Sequence, residues 1–288
     1  MPPPLPERYQ LEVRLGRDGD IEEWLATDLH LDRPVLVRLL GPEVDSDRRA
    51  GFLVAVGEAA QVSHPYLAPV FAAEEVEGGA YYVTEWTGGV TLSSRMAAGE
   101  TIDPSEFLVG ATGLASALTT LHRAGVVHGA IDPGAISYRL GSPPRLGAFG
   151  RHRRHASAAA DVIALASALE QGLTGRRPGG APPSQVMDGM PPGLDAVLDA
   201  AQRGELTASG LATRLAELPP KTEPPPPDPA WARRGIKWAL ILVVAALALI
   251  ATGWLLGGGG TGVSTTLPGG GAGHATEVHM AAWVPSRR

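Results

Sequence analysis

Five consecutive residues, Arg151-His152-Arg153-Arg154-His155, form the densest cationic run in the chain. Guanidinium groups pair bidentately with phosphate, so this run suits a phosphorylated partner, and a solvated loop has the same composition. His128, in "VVHGAID", is either a general base or, more plainly, a packed and hydrogen-bonded core histidine. Thr222, in "PKTEPPPP", stands in an extended setting where a phosphate would add up to about two negative charges for a reader domain to grip. His274, Glu277 and His279 are metal-type donors, but their Gly-rich surroundings make a poor site and chance spacing is the better account. The chain has no cysteine, which excludes thiolate nucleophiles, disulfides and cysteine-ligated metals. A net charge of −6 argues against general nucleic-acid binding, which needs a basic surface.

Positioning such groups takes elements, and these change in character along the chain. "YQLEVRL", "IEEWLATD" and "RPVLVRLL" read as strands, and Asp47 to Val62 as a helix. "LAPVFAAEEVEGGAYYVTEW" reads as a hairpin turning at Gly78-Gly79. Beyond Trp86 the pattern is helical. Asp103, Pro104 and Glu106 make a helix start, and Phe107, Ala111, Leu114, Leu118 and Leu121 form one buried stripe that Gly125 ends. Asp161 to Gln171 is apolar nearly all round, as a core helix is. The fold class is therefore α+β, a sheet-rich lobe followed by a helical one.

Trp238 to Leu256 runs 19 residues without a charge, roughly 28 Å as a helix, with tryptophans at both ends. Arg233, Arg234 and Lys237 precede it, so the positive-inside bias predicts a single-pass protein of the cell membrane with its N-terminal part cytoplasmic. No signal peptide is expected in "MPPPLPERYQ". The expected organisation is an N-terminal arm (1–7), a sheet lobe (8–87), a reduced helical lobe (88–218), a Pro-rich juxtamembrane linker (219–237), the membrane helix (238–256) and a Gly-rich outer tail (257–288).

Residues 8–217 resemble a bacterial Ser/Thr protein kinase of the membrane-anchored type. "LGRDGDIEEWLATD" sits at the phosphate loop, "RPVLVRLL" at the phosphate-lysine strand, "YYVTEWTGGVTL" at the hinge, "HGAIDPGAI" at the catalytic loop and "GAFG" at the magnesium motif. The resemblance implies a two-lobe kinase fold with a shortened activation segment, only "RHRRHASAAA" standing between Gly150 and Asp161. It implies a vestigial nucleotide cleft of Gly16, Arg38, Thr84, Glu85 and Thr87. Arg38 takes the place of the lysine and Ala55 that of its partner glutamate, so Glu58 one turn later becomes the expected partner of Arg38. Asp18 and Ile21 fill two of three glycine positions. Ala130 stands for the catalytic base, Asp132 for the lysine beside it, and Ala135 and Ala148 for the magnesium ligands; methyl groups offer no oxygen to a hard cation.

The expectation on this reading is a pseudokinase and not an enzyme, with no metal and no cofactor beyond residual ATP binding without magnesium. The likeness is closest to the pseudokinase region associated with actinobacterial lipid II flippases. That implies a membrane scaffold or regulator in cell-wall assembly whose partner is a forkhead-associated protein or the flippase, with Thr222, Arg151, Arg153 and Arg154 as candidate contacts. This chain departs from the flippase-linked form in having a single apolar span. Two alternatives stand beside it: an active or atypical ATP-binding Ser/Thr kinase, and a small-molecule sensor using the cleft.

Overall fold

Alternation of apolar side chains builds the first half of the molecule. Strands β1 (Tyr9–Asp18), β2 (Ile21–Asp28) and β3 (Arg33–Leu40) are followed by helix α1 (Ser46–Ala60), then β4 (Val70–Val76) and β5 (Gly79–Glu85). All pairings are antiparallel and the sheet order is β1-β2-β3-β5-β4. Val35, Val37 and Leu39 join Tyr81 and Val83 in the core on one face. The intervening positions turn to the other face, where Leu40, Ala80 and Tyr82 meet Phe52 and Val56 of α1. Arg38 is on this second face, 5.6 Å from the Tyr82 ring. The β4–β5 turn is Glu77-Gly78, one residue earlier than the sequence suggests, since Val76 pairs with Gly79 and Gly78 has φ +76°.

The computed structural model describes residues 5–88, 90–139, 141–151 and 156–219. Within it the second half is helical around a small antiparallel sheet of β6 (Val90–Thr91), β7 (Ile136–Arg139) and β8 (Ser142–Leu146). The helices are α2 (Leu92–Ala97), α3 (Pro104–Arg123), α4 (Ala158–Thr174), a single turn α5 (Pro183–Val186), α6 (Leu194–Gln202) and α7 (Ala208–Glu217). All five residues of the α3 stripe are buried, each large side chain contributing about 1.5–3 kcal/mol of transfer free energy. Helix α4 extends beyond the expected 161–171. The Ser157 side chain accepts from the Ala160 amide at its start, and Gly175, at φ +66°, ends it. A Cβ on Gly172 of α4 would stand 2.6 Å from Ile102, so close approach of α4 to the segment before α3 requires glycine there.

The antiparallel sheet followed by helices fits a kinase-like fold. Among the described residues no helix is long and apolar enough to cross a membrane. The expected span 238–256, the outer tail, the linker beyond Pro219, and Thr222, Arg153 and Arg154 lie outside the described residues.

Candidate functional site

Asp161, in the first turn of α4, organises the stretch that follows α3. Its buried carboxylate accepts from the backbone amides of His128 and Gly129, both at 2.8 Å, and lies 3.0 Å from His122 Nε2. His128 Nε2 is 2.8 Å from the Gly147 carbonyl, Nδ1 is 3.4 Å from the Ala130 amide, and the ring lies against Phe149 with centroids 5.0 Å apart. Burial pushes the imidazole pKa down, so it is neutral at physiological pH. With both ring nitrogens engaged inside the protein, the side chain serves as packing and holds the 147–149 segment after β8 against the 128–130 loop. The Tyr82 hydroxyl donates to the Phe149 carbonyl at 3.0 Å, which ties that loop to β5.

Three positions carry methyl groups, of which Ala135 lines the inner part of the cleft and Ala148 the outer. Ala130, Ala135 and Ala148 are all buried, and Ala148 has φ +61°, a left-handed conformation unusual for a residue with a Cβ. A 3₁₀ turn, Pro133–Ala135, is capped by Asp132, whose Oδ1 accepts from the Ala135 amide at 3.0 Å. Magnesium does not fit at positions 135 and 148, because neither offers an oxygen ligand from its side chain. No cluster of three or more metal-ligating side chains exists among the described residues.

Arg38 is buried and its Nε lies 2.6 Å from Glu23 Oε1 on β2. This corrects the expected pairing with Glu58, which is on the exposed outer side of α1; Ala55 is half-buried on the same helix. Counting five residues back from Asp28 and five on from Arg33, which face each other, places Glu23 opposite Arg38. The partner was therefore legible in the strand register, a signal the kinase alignment obscured.

The tip of the β1–β2 hairpin is Asp18-Gly19-Asp20-Ile21, with Asp18 paired to Ile21 and Gly19 at φ +61°. Gly16 adjoins a bulge in β1, and Gly19 is the residue whose backbone freedom makes the turn. Both acids are gripped. Arg48 of α1 reaches Asp20 through Nε at 2.8 Å and Nη2 at 3.0 Å, and its Nη1 donates to the Gly150 carbonyl at 3.0 Å. Arg151 holds Asp132 bidentately at 2.9 and 3.0 Å and also pairs with Asp18. The Arg151 guanidinium, expected to meet a phosphorylated partner, is thus committed to two carboxylates within the cleft. Sequence reasoning did not single out Glu23, Asp20, Arg48 or Gly19.

The cleft comprises two adjoining cavities. The inner one, about 230 Å³, is lined by Arg38, Thr84, Glu85 and Thr87 among others, and the Thr84 hydroxyl is buried there without a hydrogen-bond partner among the described residues. Glu85 is ion-paired with Arg145 of β8 at 2.9 Å. The outer cavity, about 520 Å³, takes in Gly16, Asp18, Asp132, Ala148 and Arg151. The expected nucleotide residues are thus divided between the two, with Glu23 lining both.

No protein-family model matches the chain. It is 31% identical over 149 residues to the "Probable serine/threonine-protein kinase SCO3848" of Streptomyces coelicolor, a match covering 50% of this chain and 22% of the relative. The serine/threonine-protein kinase PknB of Mycobacterium tuberculosis is 28% identical over 174 residues, covering 58% of this chain and 28% of the relative. The serine/threonine-protein kinase PrkC of Bacillus subtilis is 28% identical over 128 residues, covering 44% and 20%. The chain therefore spans between a fifth and a third of the length of these curated relatives. Their names overturn the expectation that the chain is not an enzyme: relatives called serine/threonine-protein kinases suggest kinase activity. What the fold and these similarities establish together is a kinase-like domain related to bacterial serine/threonine-protein kinases.

Proposed function

We propose that the chain is a kinase-like regulatory module that recruits a protein partner at the cell membrane. The observation that carries this reading is the state of the loop between His128 and Gly150. It is fixed by Asp161, Tyr82 and Arg48, while positions 130, 135 and 148 are buried methyl groups. A segment tied down at both ends is a shape that a partner can recognise. The segment from Trp238 to Leu256 supports membrane anchoring with the kinase-like part cytoplasmic. Arg153, Arg154 and Thr222 are the residues proposed to meet the partner. A forkhead-associated protein reading phosphorylated Thr222 is the partner type, and cell-wall precursor export through a lipid II flippase is the process. The acidic balance supports a protein partner in place of nucleic acid. The Thr84 pocket supports nucleotide binding without magnesium.

The names of the relatives favour a second reading, a serine/threonine kinase whose chemistry rests on the carboxylates present. Asp18, Glu23 and Asp132 line the outer cavity, and Asp132 is two residues beyond Ala130, in place of the missing proton acceptor. The two readings part in one experiment on the detergent-solubilised full chain. Labelled phosphate transfer from ATP, with Mg²⁺ or Mn²⁺, is measured beside retention of a forkhead-associated domain by the phosphorylated chain. Retention lost in Thr222→Ala supports recruitment. Transfer lost in Asp132→Asn supports the kinase. A phosphorylated chain that retains no such domain overturns the first reading.

A further inference from the structure

We propose that the acid-tipped β1–β2 hairpin is a strap held shut over the cleft by the chain's own arginines, in place of a nucleotide and its metal. Three features converge on this. The tip carries two carboxylates, Asp18 and Asp20, on either side of the turn glycine Gly19. Each meets a different guanidinium, Asp18 that of Arg151 and Asp20 that of Arg48. Both arginines are in turn fixed to the opposite wall of the cleft, Arg151 by the Asp132 carboxylate and Arg48 by the Gly150 carbonyl.

The side chains of Arg48 and Arg151 are only 16% and 14% exposed, whereas Asp20 and Asp18 are 37% and 53% exposed. The cations are the anchored half of each pair, and the hairpin is the half able to leave. The Arg151 guanidinium bridges Asp18 and Asp132 across the cleft and offsets one of their two negative charges, with geometry fixed by the chain. A polyphosphate entering the outer cavity would meet the carboxylates of Asp18, Glu23 and Asp132 there, beside the Arg17 guanidinium. The closed arrangement is therefore the resting state, and it yields to conditions that screen or replace the two ion pairs.

Hydrogen–deuterium exchange on the detergent-solubilised full chain tests this, read at the amides of residues 16–21 and, as a fold control, at those of β3 and β5. In Asp18→Asn/Asp20→Asn the hairpin is expected to exchange about tenfold faster, and about two- to fivefold faster in each single variant, with the control amides unchanged. In the unaltered chain, raising salt from about 0.01 M to 1 M should accelerate the hairpin selectively, which needs no variant to fold. Mg²⁺-ATP should leave hairpin exchange as it was. Hairpin exchange within twofold of wild type in the double variant overturns the strap, as does a hairpin indifferent to salt. Added protection of the hairpin by Mg²⁺-ATP would also overturn it, because the nucleotide would then be the closing agent.

Discussion

Arg38 Nε lies 2.6 Å from Glu23 Oε1 across a register pair of β3 and β2, with the arginine buried and the glutamate part-exposed. The asymmetry decides which half matters more. Removing the glutamate strands a buried guanidinium, whereas removing the arginine leaves a carboxylate that water can reach. Glu23→Gln is expected to cost about 3 kcal/mol, Arg38→Met less, and the double variant less than Glu23→Gln alone. Urea unfolding of the four proteins checks the order, and a Glu23→Gln variant as stable as wild type would show that the pair is idle.

Asp161 is acceptor to two backbone amides and lies beside His122, all within 3.0 Å. Asp161→Asn turns one of those oxygens into a donor facing a donor. A loss of about 2–4 kcal/mol is expected, with faster exchange at the His128 and Gly129 amides before the rest of α4 responds. Uniform exchange changes across the chain would count against a local role.

Two glycines in helices should respond to alanine in opposite senses. At Gly57 of α1 a Cβ meets nothing within 4 Å, so Gly57→Ala is expected to stabilise by about 0.5–1 kcal/mol through helix propensity. At Gly113 of α3 a Cβ would lie 2.1 Å from the Tyr66 ring, and overpacking of about 1–3 kcal/mol outweighs the same gain. Thermal midpoints that move in the same direction would refute the contrast.

The buried imidazole of His128 makes stability depend on pH. Burial lowers its pKa in the folded chain, so on acidification the unfolded chain takes up the proton first. The stability conferred by the neutral ring is complete above about pH 6.5 and declines as pH falls below it, by at most about 1.4 kcal/mol per pH unit. Asp28, held at about 2 by its hydrogen bond to Arg8, gives a contribution lost only further down, below its ordinary 3.8. Urea midpoints between neutral pH and about pH 5 should slope for the wild type and flatten for His128→Gln. An unchanged slope in that variant would place the proton elsewhere.

Much of the fold was legible because it rests on periodicity, which is local. The bounds of β2 and β3, the buried stripe of α3 and the strand-then-helix order follow from spacings of two and of three to four residues. The methyl groups at 130, 135 and 148 were equally plain, since identity alone says what a side chain cannot ligate. Pairings across the cleft were not legible, because charge acts on whatever the fold brings near. Arg151 turned inward to Asp132 and Asp18. Those partners are 19 and 133 residues away in sequence. Only packing of the sheet against the helical half sets such distances, and with them which charges are already neutralised within the protein.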